Sequence, residues 1–383
     1  MEFQEVGNYS EKINSLAREK HIDSLDWGEK GIPEQAINFL KESDVHKAII
    51  PYELGGEGSV LKWFSALKEI SYFSSAVANI MTTQSLLIYS ILLNEVNEKR
   101  KEILFELANV ESIGCFALTE PKVGSNAKSI ETTAQEEGSN YIINGEKRFI
   151  INAEIADVLL IAAQAKSSSG DPKGITLFLV PKDSPGIQEM RREKTMGLNE
   201  LPVNSFKMKN VKVDRSMILG EVGNGWTTLM DVFKRTRPGV GAVGIGIAQK
   251  AIESAIDYSK ERIQFGREIR KFQTIGNMIS EMIVSFKGAE SVVFQLGKKI
   301  DEHNNKDFEE LNAEAAIAKI IASDMSVKVV DQALQIYGGA GYLKASRLEK
   351  LYRDARVTRI YDGTNEVLHN IISNDYIRSE LRL

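Results

Sequence analysis

A single cysteine, Cys115, excludes an intrachain disulfide and points to a reducing compartment, so a cytoplasmic location is expected. The four histidines, His21, His46, His303 and His369, lie far apart without companions at metal-ligand spacing, so no metal site is expected. An excess of one charge is also missing. The net charge is −5 with acids and bases interspersed, unlike the basic footprint of a nucleic-acid binder. Neither a P-loop nor a G-x-S-x-G elbow occurs. Met1-Glu2-Phe3-Gln4-Glu5 lacks the basic and apolar regions of a secretory signal. One uncharged run, Ile70 to Asn94, is long enough to span a bilayer, but it holds Ser71, Ser74, Ser75, Asn79, Thr82, Thr83, Gln84, Ser85 and Ser90. That polarity suits a helix buried inside a soluble protein, and no membrane span is expected.

What is present is an ordinary globular composition, 43% hydrophobic and 26% charged, in a chain of 383 residues that calls for two or three domains. Periodicity divides it into three. Residues 1–112 read as a helical domain and residues 113–222 as a small β domain. Residues 223–383 read as a C-terminal helical bundle, making the whole an α+β, mainly helical chain. In the middle zone, Tyr141 to Ile151 contains Asn144-Gly145 between β-rich runs and predicts a hairpin turn. Asp157 to Ala165, Gly174 to Val180 and Ser205 to Val213 are strand-like. In the last zone Ile275, Met278, Ile279, Met282, Ile283 and Phe286 repeat with the helical period and predict a packed helix face.

Gly239-Val240-Gly241-Ala242-Val243-Gly244 matches G-x-G-x-x-G, but no strand precedes it. Pro238 at a helix start, followed by small residues on one helix face, explains the run better than a nicotinamide site. Four other segments carry chemistry. Arg353 to Glu366 places Asp362 between Tyr361 and Gly363, where a carboxylate can serve as a base or cap a helix, with Glu366 in its first turn. Phe116 to Asn126, with Thr119, Gly124 and Ser125, offers hydroxyls and backbone N–H groups for a flat, phosphorylated cofactor. Glu261 to Gln273 brackets Phe265-Gly266 with arginines, suited to a pyrophosphate and a ring plane. Gln335 to Tyr342 has glycines permitting close backbone approach to a ligand.

Together and in this order, the four segments resemble the acyl-CoA dehydrogenase family of flavoproteins, from about Ile32 to the C-terminus. The resemblance implies FAD held between the β domain and the C-terminal helices. It gives the C-terminal domain as a four-helix bundle and places Phe116, Leu118, Thr119, Gly124, Phe149 and Ile151 against the cofactor, with Thr119 on the flavin ring and Ser125 at the phosphate region. Arg262, Phe265, Gln273, Gln335, Gly338 and Gly339 fall on the ADP half, some across a dimer interface, with Thr364 and Glu366 beside the adenosine. Asp362 takes the position of the base that removes an α-proton from an acyl thioester while a β-hydride leaves for flavin N5. Ser125, Lys234, Arg237, Tyr361 and Gly363 match substrate-side positions. An acyl-CoA substrate, an electron-transfer flavoprotein as acceptor and a homodimer or homotetramer are implied with it.

The chain departs from the pattern in several places. Asp362 stands where most members have Glu, and a carboxylate withdrawn by about 1 Å can cost about a hundredfold in rate. Thr236, where some relatives keep the base, is not a carboxylate. Phe149 and Ile151 replace the usual Trp and Thr, which removes a hydroxyl near flavin N5. Asn126 replaces an Asp, and Lys234 stands where CoA-using members can carry an acidic contact. These changes leave open an acyl group tethered to a carrier protein, or a nitroalkane-oxidase-like flavin oxidase.

Overall fold

The computed structural model describes residues 2–23, 31–302 and 311–378; His303 lies outside them. Helices α1 (Glu2–Glu19), α2 (Glu34–Ser43), α3 (Val60–Phe73), α4 (Ser75–Leu92) and α5 (Glu98–Ala108) precede the sheet. The uncharged run is broken into two helices. Ser74 ends α3 through its N–H on the Ile70 carbonyl and starts α4 by accepting from Val77 N at 3.2 Å. Helix α4 has the length and composition to cross a membrane, yet 94% of it is buried inside the protein. Several of its polar side chains find partners there. Thr82, Ser85 and Ser90 donate back to carbonyls of their own helix, and the Gln84 amide bridges the Leu107 carbonyl and Gly114 N.

Eight strands form one sheet: β1 (Gly114–Ala117), β2 (Thr133–Glu137), β3 (Asn140–Ile151), β4 (Val158–Lys166), β5 (Pro172–Pro181), β6 (Ile187–Arg192), β7 (Val203–Asp214) and β8 (Ile218–Leu219). Their order is β6-β7-β3-β2-β4-β5-β8, with β1 parallel to β4. The expected turn at Asn144-Gly145 is not there. Strand β3 runs straight through it with only a register shift against β7, and the real hairpin turn is Gly138-Ser139, between β2 and β3. Gly138 supplies the positive φ of +61° that this turn needs. Gly145 is required for a different reason: a Cβ there would lie 2.4 Å from Thr132 Oγ1.

The chain then becomes helical again: α6 (Gly225–Glu261), a short β9 (Ile263–Gln264) and β10 (Arg267–Glu268) ribbon, α7 (Gln273–Glu302), α8 (Leu311–Tyr337), α9 (Leu348–Arg356) and α10 (Asn365–Arg378). Pro238 does not start a helix; it lies inside the 37-residue α6. The helix survives because Pro removes one N–H bond only, while packing on both sides holds the rest. The glycine run is the reason such packing is possible. Gly246 lies against Ser71 and Lys68 of α3, and Gly241 and Gly244 against Ala322 and Ser326 of α8. Along α7 the expected apolar face is buried at Met282 and Phe286, while Ile283 is 39% exposed.

One buried polar knot joins three parts of the molecule. Asp354 of α9 accepts from Leu198 N at 2.6 Å and Ser75 Oγ at 2.7 Å, while Lys350 bridges Asp354 and Glu200. It fixes α9, and so the turn after it, against α4 and the β6–β7 connection.

Candidate active site

Beyond α9 a short 3-10 turn, Val357–Arg359, leads into Tyr361-Asp362-Gly363-Thr364. The helix that follows is capped by Thr364, whose Oγ1 accepts from Val367 N at 3.3 Å. Asp362 is therefore outside the helix, and the capping role open to it in the sequence belongs to Thr364. Asp362 and Gly363 both have positive φ, +54° and +92°. For a residue with a Cβ this costs roughly 1–2 kcal/mol, least for Asp and Asn.

The neighbours of the turn hold it there. Arg237 Nε donates to the Asp362 carbonyl at 3.1 Å, and Lys319 Nζ donates to the Gly363 carbonyl at 2.9 Å. Burial pushes the Asp362 carboxyl above its usual range, against the opposing pull of Arg237 and Lys319. Burial likewise lowers Arg237 to about 10 and Lys319 to about 8, with Asp362 resisting both shifts. Tyr361 beside it is pushed up by burial and by the Asp362 charge, its hydroxyl facing Asn79 of α4. Arg237 Nη1, Asn79 Oδ1 and the Tyr361 hydroxyl are buried without a hydrogen-bond partner. A carboxylate with raised proton affinity among unspent polar groups is the arrangement of a general base facing a ligand.

Of the other expected residues, a second group surrounds the β1 end. Lys147 Nζ donates to the Leu118 carbonyl at 3.0 Å and to Glu120 at 2.8 Å, and Arg148 N donates to the Thr119 carbonyl at 2.9 Å. The segment with Leu118 and Thr119 is thereby pinned to β3 just before Phe149. Burial takes Lys147 down to about 8 in spite of Glu120. Phe149 is 55% exposed with a φ of +60°, Ile151 is half-buried, and Gly124 and Ser125 lie open. Phe116 meets Phe233 edge-on at 6.0 Å, and Arg237 lies 5.1 Å from the same Phe233 ring. That chain of contacts links this group to Asp362.

A third group is gathered where α6 and α8 end. Tyr258 and Tyr337 stack at 3.9 Å, bringing Arg262, Phe265 and Gln273 toward Gln335, Gly338 and Gly339, all of them exposed. Phe265 is 92% exposed, at φ +51°. A Cβ built on Gly124, Gly266, Gly338 or Gly339 meets nothing within 4 Å. Open glycines, an upright aromatic and arginines fit a flat, phosphate-bearing cofactor such as FAD. Lys234 is spent on its own helix, 3.0 Å from Asp231. Glu366 is exposed, its carboxyl held low first by its own backbone N–H and by Thr364.

Sequence reasoning missed Lys319, Asn79 and Asn365. Lys319 had a visible signal: it interrupts the apolar stretch Ala315, Ala316, Ala318 and Ile320, where a lysine needs a buried partner.

Family models give the identity of this arrangement. "Acyl-CoA dehydrogenase, C-terminal domain" matches residues 223–377, and "Acyl-CoA dehydrogenase, middle domain" matches residues 115–211. The chain belongs to the acyl-CoA dehydrogenase family. It is 36% identical to the 3-(aryl)acrylate reductase of Clostridium sporogenes, over 90% of this chain and 91% of the relative. It is 33% identical to the caffeyl-CoA reductase–Etf complex subunit CarC of Acetobacterium woodii, over 97% and 98%. A solved acyl-CoA dehydrogenase from Bacillus anthracis complexed with FAD superposes with a TM-score of 0.89 at 26% identity. The match covers 99% of this chain and 68% of that one.

Proposed function

We propose that this member of the family is an FAD-dependent dehydrogenase of acyl thioesters with Asp362 as its base. The observation that carries the reading is the Asp362 carboxylate, half-buried, raised in proton affinity and seated on a turn gripped by Arg237 and Lys319. Asp362 accepts the α-proton of the bound acyl group, made acidic by the thioester. Burial raises the carboxyl's proton affinity and so makes it a stronger base. Arg237, with Nη1 unspent, and Tyr361 line the approach and orient the acyl group.

Thr119, Leu118, Phe149, Ile151, Gly124 and Ser125 hold the flavin end, with Phe149 as a ring against it. Arg262, Phe265, Gln273, Gln335, Gly338 and Gly339 hold the ADP end, and the exposure of this group fits delivery to the cofactor of a second subunit in a homodimer or homotetramer. When bound, FAD supplies the acceptor for the β-hydride. The electron partner is an electron-transfer flavoprotein, a reading supported by the Etf complex to which the Acetobacterium relative belongs. The acyl group is carried by CoA; a carrier-protein tether is the alternative form of delivery.

A second reading runs the same site in reverse, reducing an arylacrylyl thioester, and the two reductase relatives favour it. Anaerobic mixing of the yellow holoprotein with saturated acyl-CoAs, aliphatic and arylpropionyl, tests the first reading through bleaching of the flavin. Reoxidation of reduced holoprotein by arylacrylyl-CoA tests the second. No flavin response to any thioester defeats both.

A further inference from the structure

Two buried cations from different helices grip consecutive carbonyls of the turn that carries Asp362. Arg237 of α6 takes the Asp362 carbonyl at 3.1 Å, and Lys319 of α8 takes the Gly363 carbonyl at 2.9 Å. Both turn residues have positive φ, and a non-glycine residue keeps such a conformation only where its surroundings impose it. Lys319 also donates to Asn365 Oδ1 at 2.9 Å, and Asn365 donates in turn to Ser323 Oγ and Asp324. The ammonium is thus anchored to the first residue of α10 as well as to the turn. Lys319 is fully buried, and a desolvated charge of this kind persists only with acceptors and a counter-charge close by.

We propose, on the reading of Asp362 as the base, that Lys319 is a positioning residue that aims the short carboxylate through the Gly363 carbonyl and sets a fixed positive charge behind it. An aspartate has one methylene with which to correct a misplaced backbone, so its aim depends on the turn more than a glutamate's would. The charged groups that face Lys319 are Asp362 on the turn, Arg237 on α6, Asp324 on its own helix and Glu366 on α10. Asp324 is itself paired with Arg359 at 2.6 Å, and Tyr361 adds a hydroxyl next to Asp362. Asp362 is the strongest attraction among them, so removing the ammonium acts first on the base.

The test reads the ionisation of Asp362 without any substrate. The melting temperature of the holoprotein is followed against pH for the wild type and for Asp362→Asn. Their difference turns over at the midpoint of Asp362, and titrations common to both cancel. In a Lys319→Met background the midpoint is expected to rise by about one pH unit. Lys319→Gln keeps a donor for the Gly363 carbonyl but no charge, and is expected to move the midpoint in the same direction. It gives the answer if the methionine variant does not fold. A lysine with a purely structural role lowers melting at every pH and leaves the midpoint where it was, and that result overturns the proposal. Because no thioester is added, the outcome is separate from the bleaching experiment that tests the reaction itself.

Discussion

At the residue scale, the short carboxylate proposed as the base and its strained backbone are one device. The grips of Arg237 and Lys319 hold Asp362 at φ +54°, so a longer side chain cannot be accommodated by letting the turn retreat. Asp362→Glu is therefore expected to slow flavin bleaching by up to about a hundredfold, the effect that about 1 Å of misplacement can have. Asp362→Ala is expected to abolish bleaching while the protein stays yellow and folded. Rate retained in the alanine variant removes Asp362 from the base position. The position of Asp362 before a glycine was legible in the sequence, but its exclusion from the helix was not. Thr364 and Asp362 are both good caps, and only the backbone path decides which of them reaches the free N–H groups.

At the element scale, α6 is held by what its glycines allow. A Cβ on Gly246 would lie 2.1 Å from Ser71 Oγ and 2.2 Å from the Lys68 carbonyl, and a backbone carbonyl cannot rotate away. Gly246→Ala is expected to destabilise by roughly 1–3 kcal/mol, measured by urea unfolding. The G-x-G-x-x-G string was thus correctly separated from a nucleotide loop, but the place of Pro238 was misjudged. A proline is a start signal in isolation, and here packing against α3 and α8 keeps the helix going through it. The Asn144-Gly145 turn failed for a related reason: partners on both edges of β3 hold it extended, outweighing a local preference. The knot around Asp354 acts between elements. Asp354→Ala strips Lys350 of one counter-charge and Leu198 N of its acceptor, and is expected to cost about 3–5 kcal/mol with a matching loss in melting temperature.

At the scale of the whole molecule, stability depends on pH through groups whose proton affinity the fold shifts. His46 is fully buried, its ring 5.5 Å from that of Trp63, and burial lowers it from 6.5 to about 3. The unfolded chain takes up a proton at His46 below pH 6.5 and the folded one does not, so stability is complete above 6.5 and falls as pH drops toward 3. Between pH 6.5 and 5 the loss is expected to be about 2 kcal/mol, at 1.36 kcal/mol per unit, and His46→Leu should flatten it. Asp362 works in the opposite sense: its raised affinity makes the folded state bind a proton more readily than the unfolded one, so its contribution grows as pH falls through its folded-state midpoint. Urea unfolding of the wild type and of Asp362→Asn across the acid range separates the two: the Asn variant lacks the opposing contribution and loses stability more steeply as pH falls.

The sequence by itself determined the three zones and the family, and it supplied the residue proposed as the base, because each rests on local periodicity or on short motifs read along the chain. The tertiary structure alone decided which polar groups share one buried space. Lys319, Asn79 and Arg237 come from helices far apart in sequence, and they converge on Tyr361, Asp362 and Gly363 only once α4, α6 and α8 pack around the turn. Ionisation and aim are set by those neighbours and by the exclusion of water, and neither is a property of any segment taken singly.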